Sequence, residues 1–179
     1  MYLIDDIDHG VLDRFLVTPI SRGSLICGRM IQFGLVAIVQ SAIILLLGLA
    51  MGARFPGGWP GVLVLVVASM LLGTGFVGLS SAVALLARRE ETMVAACNFV
   101  LLPLTFLSSV FMAQGLMPGW MQAIARYNPV NWAVETAREA LTVGPDWSIV
   151  WLRLAALLVF MVVCAWLAAR AFRVYQKSI

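Results

Sequence analysis

Three groups of residues have types or spacings that could do chemistry. The first is "GTGFVG", Gly73 to Gly78, which has the G-x-G-x-x-G spacing that lets backbone amides approach a pyrophosphate. A dinucleotide site also needs a preceding strand, a βαβ unit and an acid at a set distance. This motif sits in an apolar run with none of these, so its glycines, with Ser80 and Ser81, are expected to let helices approach closely. The second is the single histidine, His9, which has no metal-ligand companion and reads as a surface residue. The third is Cys27, Cys97 and Cys164, too far apart for a C-x-x-C pair, so neither zinc nor a disulfide framework is indicated. No G-x-x-x-x-G-K-[ST] occurs, so the chain has no P-loop of its own for ATP. No catalytic constellation can be assembled, and no catalytic or metal-binding residue is assigned.

The elements that must carry any function are helices in a bilayer. Hydrophobic residues make up 62% of the 179 and charged ones only 12%, about half the share usual in soluble proteins. Four stretches reach the roughly 20 apolar residues needed to cross the hydrocarbon core: Ile31–Met51, Gly61–Leu86, Met93–Met112 and Ile149–Ala169. The fold class is therefore all-α, a polytopic helical membrane protein with four predicted transmembrane helices. "GARFPGGWPG" between the first two spans reads as a tight turn, and "ARREET" between the second and third as a short charged loop. The long connection 113–148 is too polar for a span and too rich in Trp, Met and Val for a solvated loop. Short helices partly sunk in the interface are expected there.

The cationic residues are eleven Arg and one Lys, with no basic cluster larger than a pair and a net charge of +3, which argues against a nucleic-acid partner. With both termini in the cytosol, eight of the twelve fall inside and four outside, the sense of the positive-inside rule. Trp59, Trp120, Trp132, Trp147 and Trp151 then lie at or beyond the outer boundary. The four spans contain no Asp or Glu, which disfavours a proton-coupled transporter with a titratable relay. Their polar residues, among them Gln32, Gln40, Asn98, Thr105, Ser108 and Ser109, are expected mostly to bond neighbouring helices. Pro103 should kink its span. "MYLIDDIDHG" lacks the basic start of a secretory signal, so no cleaved leader is expected.

The opening stretch "DIDHGVLDRFLVTPISR", 6–22, is amphipathic. Val11, Leu12, Phe15 and Leu16 recur on one helical face, with Asp13 and Arg14 on the other. Pro19 disfavours helical geometry at Thr18, and Ser21 is placed to cap the next helix. Acidic flanks suit a protein partner better than an anionic leaflet. In "FLSSVFMAQGLMPGWMQAIARYNPVNWAVETAREAL", 106–141, Pro118 and Pro129 punctuate two short helices, expected at about 120–127 and 132–141. Glu135, Arg138 and Glu139 are spaced for ion pairs along the second.

Both stretches resemble the membrane subunits of ABC type-2 permeases, the bacterial exporter group that includes drug-resistance and polysaccharide exporters. Gly10, Asp13, Arg14, Phe15, Leu16, Thr18, Pro19, Ser21 and Arg22 occupy the family's cytosolic-loop positions. Met117, Pro118, Trp120, Asn128, Pro129, Glu135 and Arg138 fall in its second motif. The resemblance covers nearly the whole chain and implies a transmembrane permease domain over 1–179. Residues 6–22 would be a coupling loop docking on a separate ABC ATP-binding subunit, through Gly10, Leu12, Asp13, Arg14, Phe15, Leu16, Thr18 and Pro19. Residues 113–148 would be an external re-entrant helical pair closing the outer mouth. It also implies a homodimer or heterodimer of permease subunits in the bacterial inner membrane. ATP and Mg would be bound on the partner ATPase, and no cofactor by this chain. Family members usually have six spans, so an interfacial helix and the first two spans are expected to be missing here, through a start codon placed too late or a true fragment. An assembly or regulatory factor holding a cytosolic partner, or a non-transporting fragment of such a permease, is the alternative function.

Overall fold

The computed structural model describes residues 22–53, 55–87 and 90–176. Among these residues six α-helices follow one another: α1 (Arg22–Ala50), α2 (Gly58–Ala87), α3 (Glu90–Phe106), α4 (Gly119–Ala125), α5 (Pro129–Leu141) and α6 (Trp147–Gln176). A single 3₁₀ turn, Gln114–Leu116, precedes α4, and no strand occurs among the described residues. The all-α expectation holds. Among the described residues three helices are long and apolar enough to cross a membrane, over Ile31–Ala50, Gly58–Ala84 and Trp147–Ala171. Large apolar side chains such as Leu47, Leu152, Val159 and Trp166 stand exposed along them, far more than water tolerates on one surface. The protein is a multi-pass membrane protein.

Helix α2 is the axis of the bundle, packing against α1, α3, α5 and α6. Its glycines set how near the neighbours come. A Cβ on Gly75 would meet the Phe160 ring at 2.7 Å, and one on Gly78 would meet the Cys164 backbone at 3.1 Å. The "GTGFVG" stretch is thus a packing seam with α6, as expected, although Gly73 faces open space. The pairing of Gly75 with Phe160 and Gly78 with Cys164 makes α2 and α6 parallel, so both begin at the same end of the bundle as the short helices. Trp59, Trp120, Trp132, Trp147 and Trp151 all belong to elements at that end.

The third expected span, Met93–Met112, differs in extent. Its helix, α3, has 17 residues and stops at Phe106, a length of about 26 Å against the roughly 30 Å of a hydrocarbon core. The cause lies in the hydrogen bonds. The Leu104 carbonyl, which Ser108 N–H would need to continue the helix, accepts from Asn128 Nδ2 at 2.5 Å. Ser108 instead folds back on Thr105, both its N–H and its hydroxyl donating to that carbonyl, at 3.3 and 2.6 Å. Ser109 N–H then donates to Asn131 Oδ1 at 2.9 Å.

The hydroxyls also depart from expectation. Ser69, Thr74, Ser81 and Thr105 donate to the carbonyl four residues back in their own helix, at 2.7 to 2.9 Å. That carbonyl is always within reach of an O–H on the same helix, whereas a neighbour's backbone donors and acceptors are already paired. Cys97 Sγ to Ser80 Oγ, at 3.3 Å, links α3 to α2. Gln32, Gln40 and Asn98 face outward.

Candidate functional site

The residues proposed for coupling, Gly10, Leu12, Asp13, Arg14, Phe15, Leu16, Thr18 and Pro19, lie outside the described residues, as does Ser21. The second motif is fully described. Pro118 is the N-cap position of α4, which the Gln122 amide steadies by donating from Nε2 to the Met117 carbonyl at 2.9 Å. Met117 is buried and Trp120 stands exposed. A sharp junction separates α4 from α5. Asn128 caps α5, its Oδ1 accepting from Val130 N–H at 2.9 Å, and Pro129 at the first helical position has the fixed φ a helix start needs. The Trp132 indole N–H donates back across the junction to the Arg126 carbonyl at 2.7 Å.

Asn128 therefore works in two directions. While its Oδ1 caps α5, its Nδ2 donates to the Leu104 carbonyl of α3 and, at 3.4 Å, to that of Leu107. One turn on, Asn131 takes the Ser109 N–H. Both amides are nearly inaccessible, at 2 and 3% exposed, and Ser108 and Ser109 are buried with them. Ser109 Oγ has no hydrogen-bond partner there. Sequence reasoning singled out Asn128 but passed over Asn131, whose signal is its i, i+3 spacing from Asn128, placing both on one face of α5.

The other end of α5 rests on glycines. The Gly57 N–H donates to the Leu141 carbonyl at 3.0 Å. A Cβ on Gly57 or Gly61 would lie 2.1 or 2.2 Å from the Ala140 oxygen. "FPGGWPG" is thus more than a turn: two glycines one helical turn apart form the seat of α5. Between its ends, Ala133 and Ala140 join Val64 and Ala68 of α2 and Val150, Leu154 and Leu157 of α6 in the main apolar core.

Charged groups lie on the outer side of α5. Glu135 and Arg138 pair at 3.7 Å, the arginine half exposed, a surface pair of small energetic weight. Glu139 turns to the next connection, its Oε1 accepting from Asp146 N–H at 3.2 Å. Asp146 in turn accepts from the Ser148 hydroxyl and N–H, at 2.9 and 3.0 Å. These bonds hold its carboxyl below the ordinary carboxylate value, the hydroxyl contributing most. The arrangement supplies buried amide contacts and a shaped helical layer, and among the described residues no group of three His, Cys, Asp or Glu is placed to hold a metal ion.

The sequence profile described as ABC-2 type transporter matches residues 2–142, which include both the opening loop and the α4–α5 segment. The daunorubicin resistance ABC transporter permease protein DrrB1 of Streptomyces coeruleorubidus is 33% identical over 136 residues, covering 76% of this chain and 48% of the relative. The probable doxorubicin resistance ABC transporter permease protein DrrC of Mycobacterium tuberculosis is 26% identical over 143 residues, 80% of this chain and 51% of that one. The probable multidrug ABC transporter permease YbhR of Escherichia coli is 25% identical over 174 residues, 96% of this chain and 45% of its own. The chain spans about half the length of the curated relatives it matches. No solved structure matches it significantly.

Proposed function

Because the chain belongs to the ABC-2 type transporter membrane family, we propose that it is a permease subunit of an ATP-driven exporter. It moves an amphipathic or lipid-linked substrate outward across the bacterial cytoplasmic membrane. The observation that carries this reading is the family match over residues 2–142, which takes in both motifs. The drug-resistance permeases among the relatives support the substrate class. The absence of acids in the apolar spans supports an energy source outside this chain.

In this reading ATP and Mg are bound by a separate ABC ATP-binding subunit, and two permease subunits, identical or related, enclose the path. Both termini are cytosolic. Phe15 and Leu16 form an apolar knob that enters a groove on the ATPase. Asp13 and Arg14 pair with charges around that groove, and Thr18-Pro19 gives the loop a defined end through which motion reaches α1. The segment with Met117, Pro118, Trp120, Asn128, Pro129, Glu135 and Arg138 shapes the outer mouth.

The test is co-purification of the chain, in its full genomic context, with the neighbouring ATPase, followed by ATP-dependent uptake of daunorubicin into inverted vesicles. Phe15→Asp is expected to abolish both association and uptake at unchanged expression. Normal uptake by that variant would refute the coupling role of the loop.

A further inference from the structure

Helix α5 is attached to a different helix at each end. Asn128 holds the last turn of α3 and Asn131 the Ser109 N–H just beyond it, while Ala140 and Leu141 sit on Gly57 and Gly61 at the start of α2. Between α2 and α3 themselves the fit is looser. An apolar cleft of about 70 Å³ runs between them, lined by Phe76, Leu79, Val83, Val100 and Leu101. We propose that α5 is a strut that staples α3 to α2 at the tryptophan-rich end, and that it stays latched at both ends in every conformation the chain adopts. Asn131, alongside Asn128, is then a positioning residue. In the transport reading, on which the functional side of this inference rests, the outer mouth opens by movement of α2, α3 and α5 as one body, not by α5 lifting off like a lid.

The physical reason is what parting would expose. Separating α5 from α3 strips the partners from the Leu104 and Leu107 carbonyls and from the Ser109 N–H, in a place where Ser109 Oγ already lacks one. Each buried group left unpaired disfavours the parted form on the order of tenfold. Three together make it on the order of a thousandfold rarer. Asn128, Asn131 and Ser109 are at most 3% exposed, so water does not reach these bonds while the helices are latched.

Hydrogen exchange resolved to single amides, on the full chain in lipid nanodiscs with its ATPase, tests this with and without vanadate trapping of nucleotide. The Ser109 amide is expected to exchange on the order of a thousandfold slower than unstructured peptide and the Gly57 amide at least on the order of tenfold slower, equally in both states. Asn131→Leu should release Ser109 selectively, and Asn131→Asp, which keeps an acceptor oxygen, should restore protection in part. Fast exchange at Ser109 or Gly57 in either state overturns the strut, as does unchanged Ser109 protection in Asn131→Leu. These readouts hold whether or not the chain transports, whereas failure of the permease reading shows separately, as no bound ATPase and no ATP-dependent uptake.

Discussion

Replacing Gly61 by alanine would put a methyl carbon 2.2 Å from the Ala140 carbonyl oxygen and 3.0 Å from the carbonyl carbon. Ordinary contact is about 3.5 Å, so the end of α5 would have to retreat from α2 by about 1 Å. It has little freedom to do so. The Gly57 N–H holds Leu141, and Ala140 is packed against α2 and α6 in the core. Overpacking of this kind costs about 1–3 kcal/mol. Against it stands the gain of about 0.5–1 kcal/mol from removing a glycine inside a helix. Gly73→Ala supplies the control, since Gly73 lies in the same helix with nothing within 4 Å of its Cβ position. The helix-propensity gain is common to both variants, so their difference isolates the contact. Unfolding of the two purified variants in detergent micelles should put Gly61→Ala about 1–3 kcal/mol below Gly73→Ala. If the two agree to within about 0.5 kcal/mol, α5 does not sit where the glycine seat requires, and the reasoning fails.

Other substitutions probe the remaining contacts. Asn128→Asp keeps the oxygen that caps α5 but loses the donor to Leu104 and sets a carboxylate against that carbonyl. It should destabilise at least as much as Asn128→Ala, reversing the usual preference for Asp at an N-cap; a stability above that of the alanine variant would contradict the double role. Gly75→Ala should turn Phe160 out of its edge-to-face pair with Phe76, whose centroids are 5.6 Å apart, costing about 0.5–1.5 kcal/mol in the same unfolding assay. Because the Asp146 carboxyl titrates below its ordinary 3.8 in the folded chain, its bonds stabilise above that pH and are lost as pH falls through the folded value. Melting followed from about pH 5 down to about pH 2 should therefore show a loss in the parent chain that Asp146→Asn lacks, and parallel profiles over that window would exclude the capping role.

Much of this architecture was legible because it is written locally. The lengths of the apolar runs located α1, α2 and α6 to within a few residues at their membrane boundaries. Pro118 and Pro129 marked the two short helices, since proline favours a helix start and disfavours helical geometry just before it. The early end of α3 was not legible. "FLSSVFM" stays apolar through Met112, and the group that takes the Leu104 carbonyl is 24 residues away in sequence. Hydropathy has no access to such a pairing. The glycine seat was hidden for the same reason, because Gly57 and Gly61 matter only once Ala140 and Leu141 arrive. The hydroxyls misled in the opposite way: they suggested contacts between helices, but their own carbonyls lay nearer.

The self-paired hydroxyls bear on how the chain is assembled. Ser69, Thr74 and Ser81 bond within α2, so those three hydroxyls need no partner from a neighbouring helix. Helix α5 is different. Its two asparagines have no use for their outward-facing groups until the end of α3 is in place, and its last carbonyl waits for Gly57. Helix α2 carries those hydroxyls already paired, whereas α5 brings amide and carbonyl groups that are satisfied only against the end of α3 and Gly57.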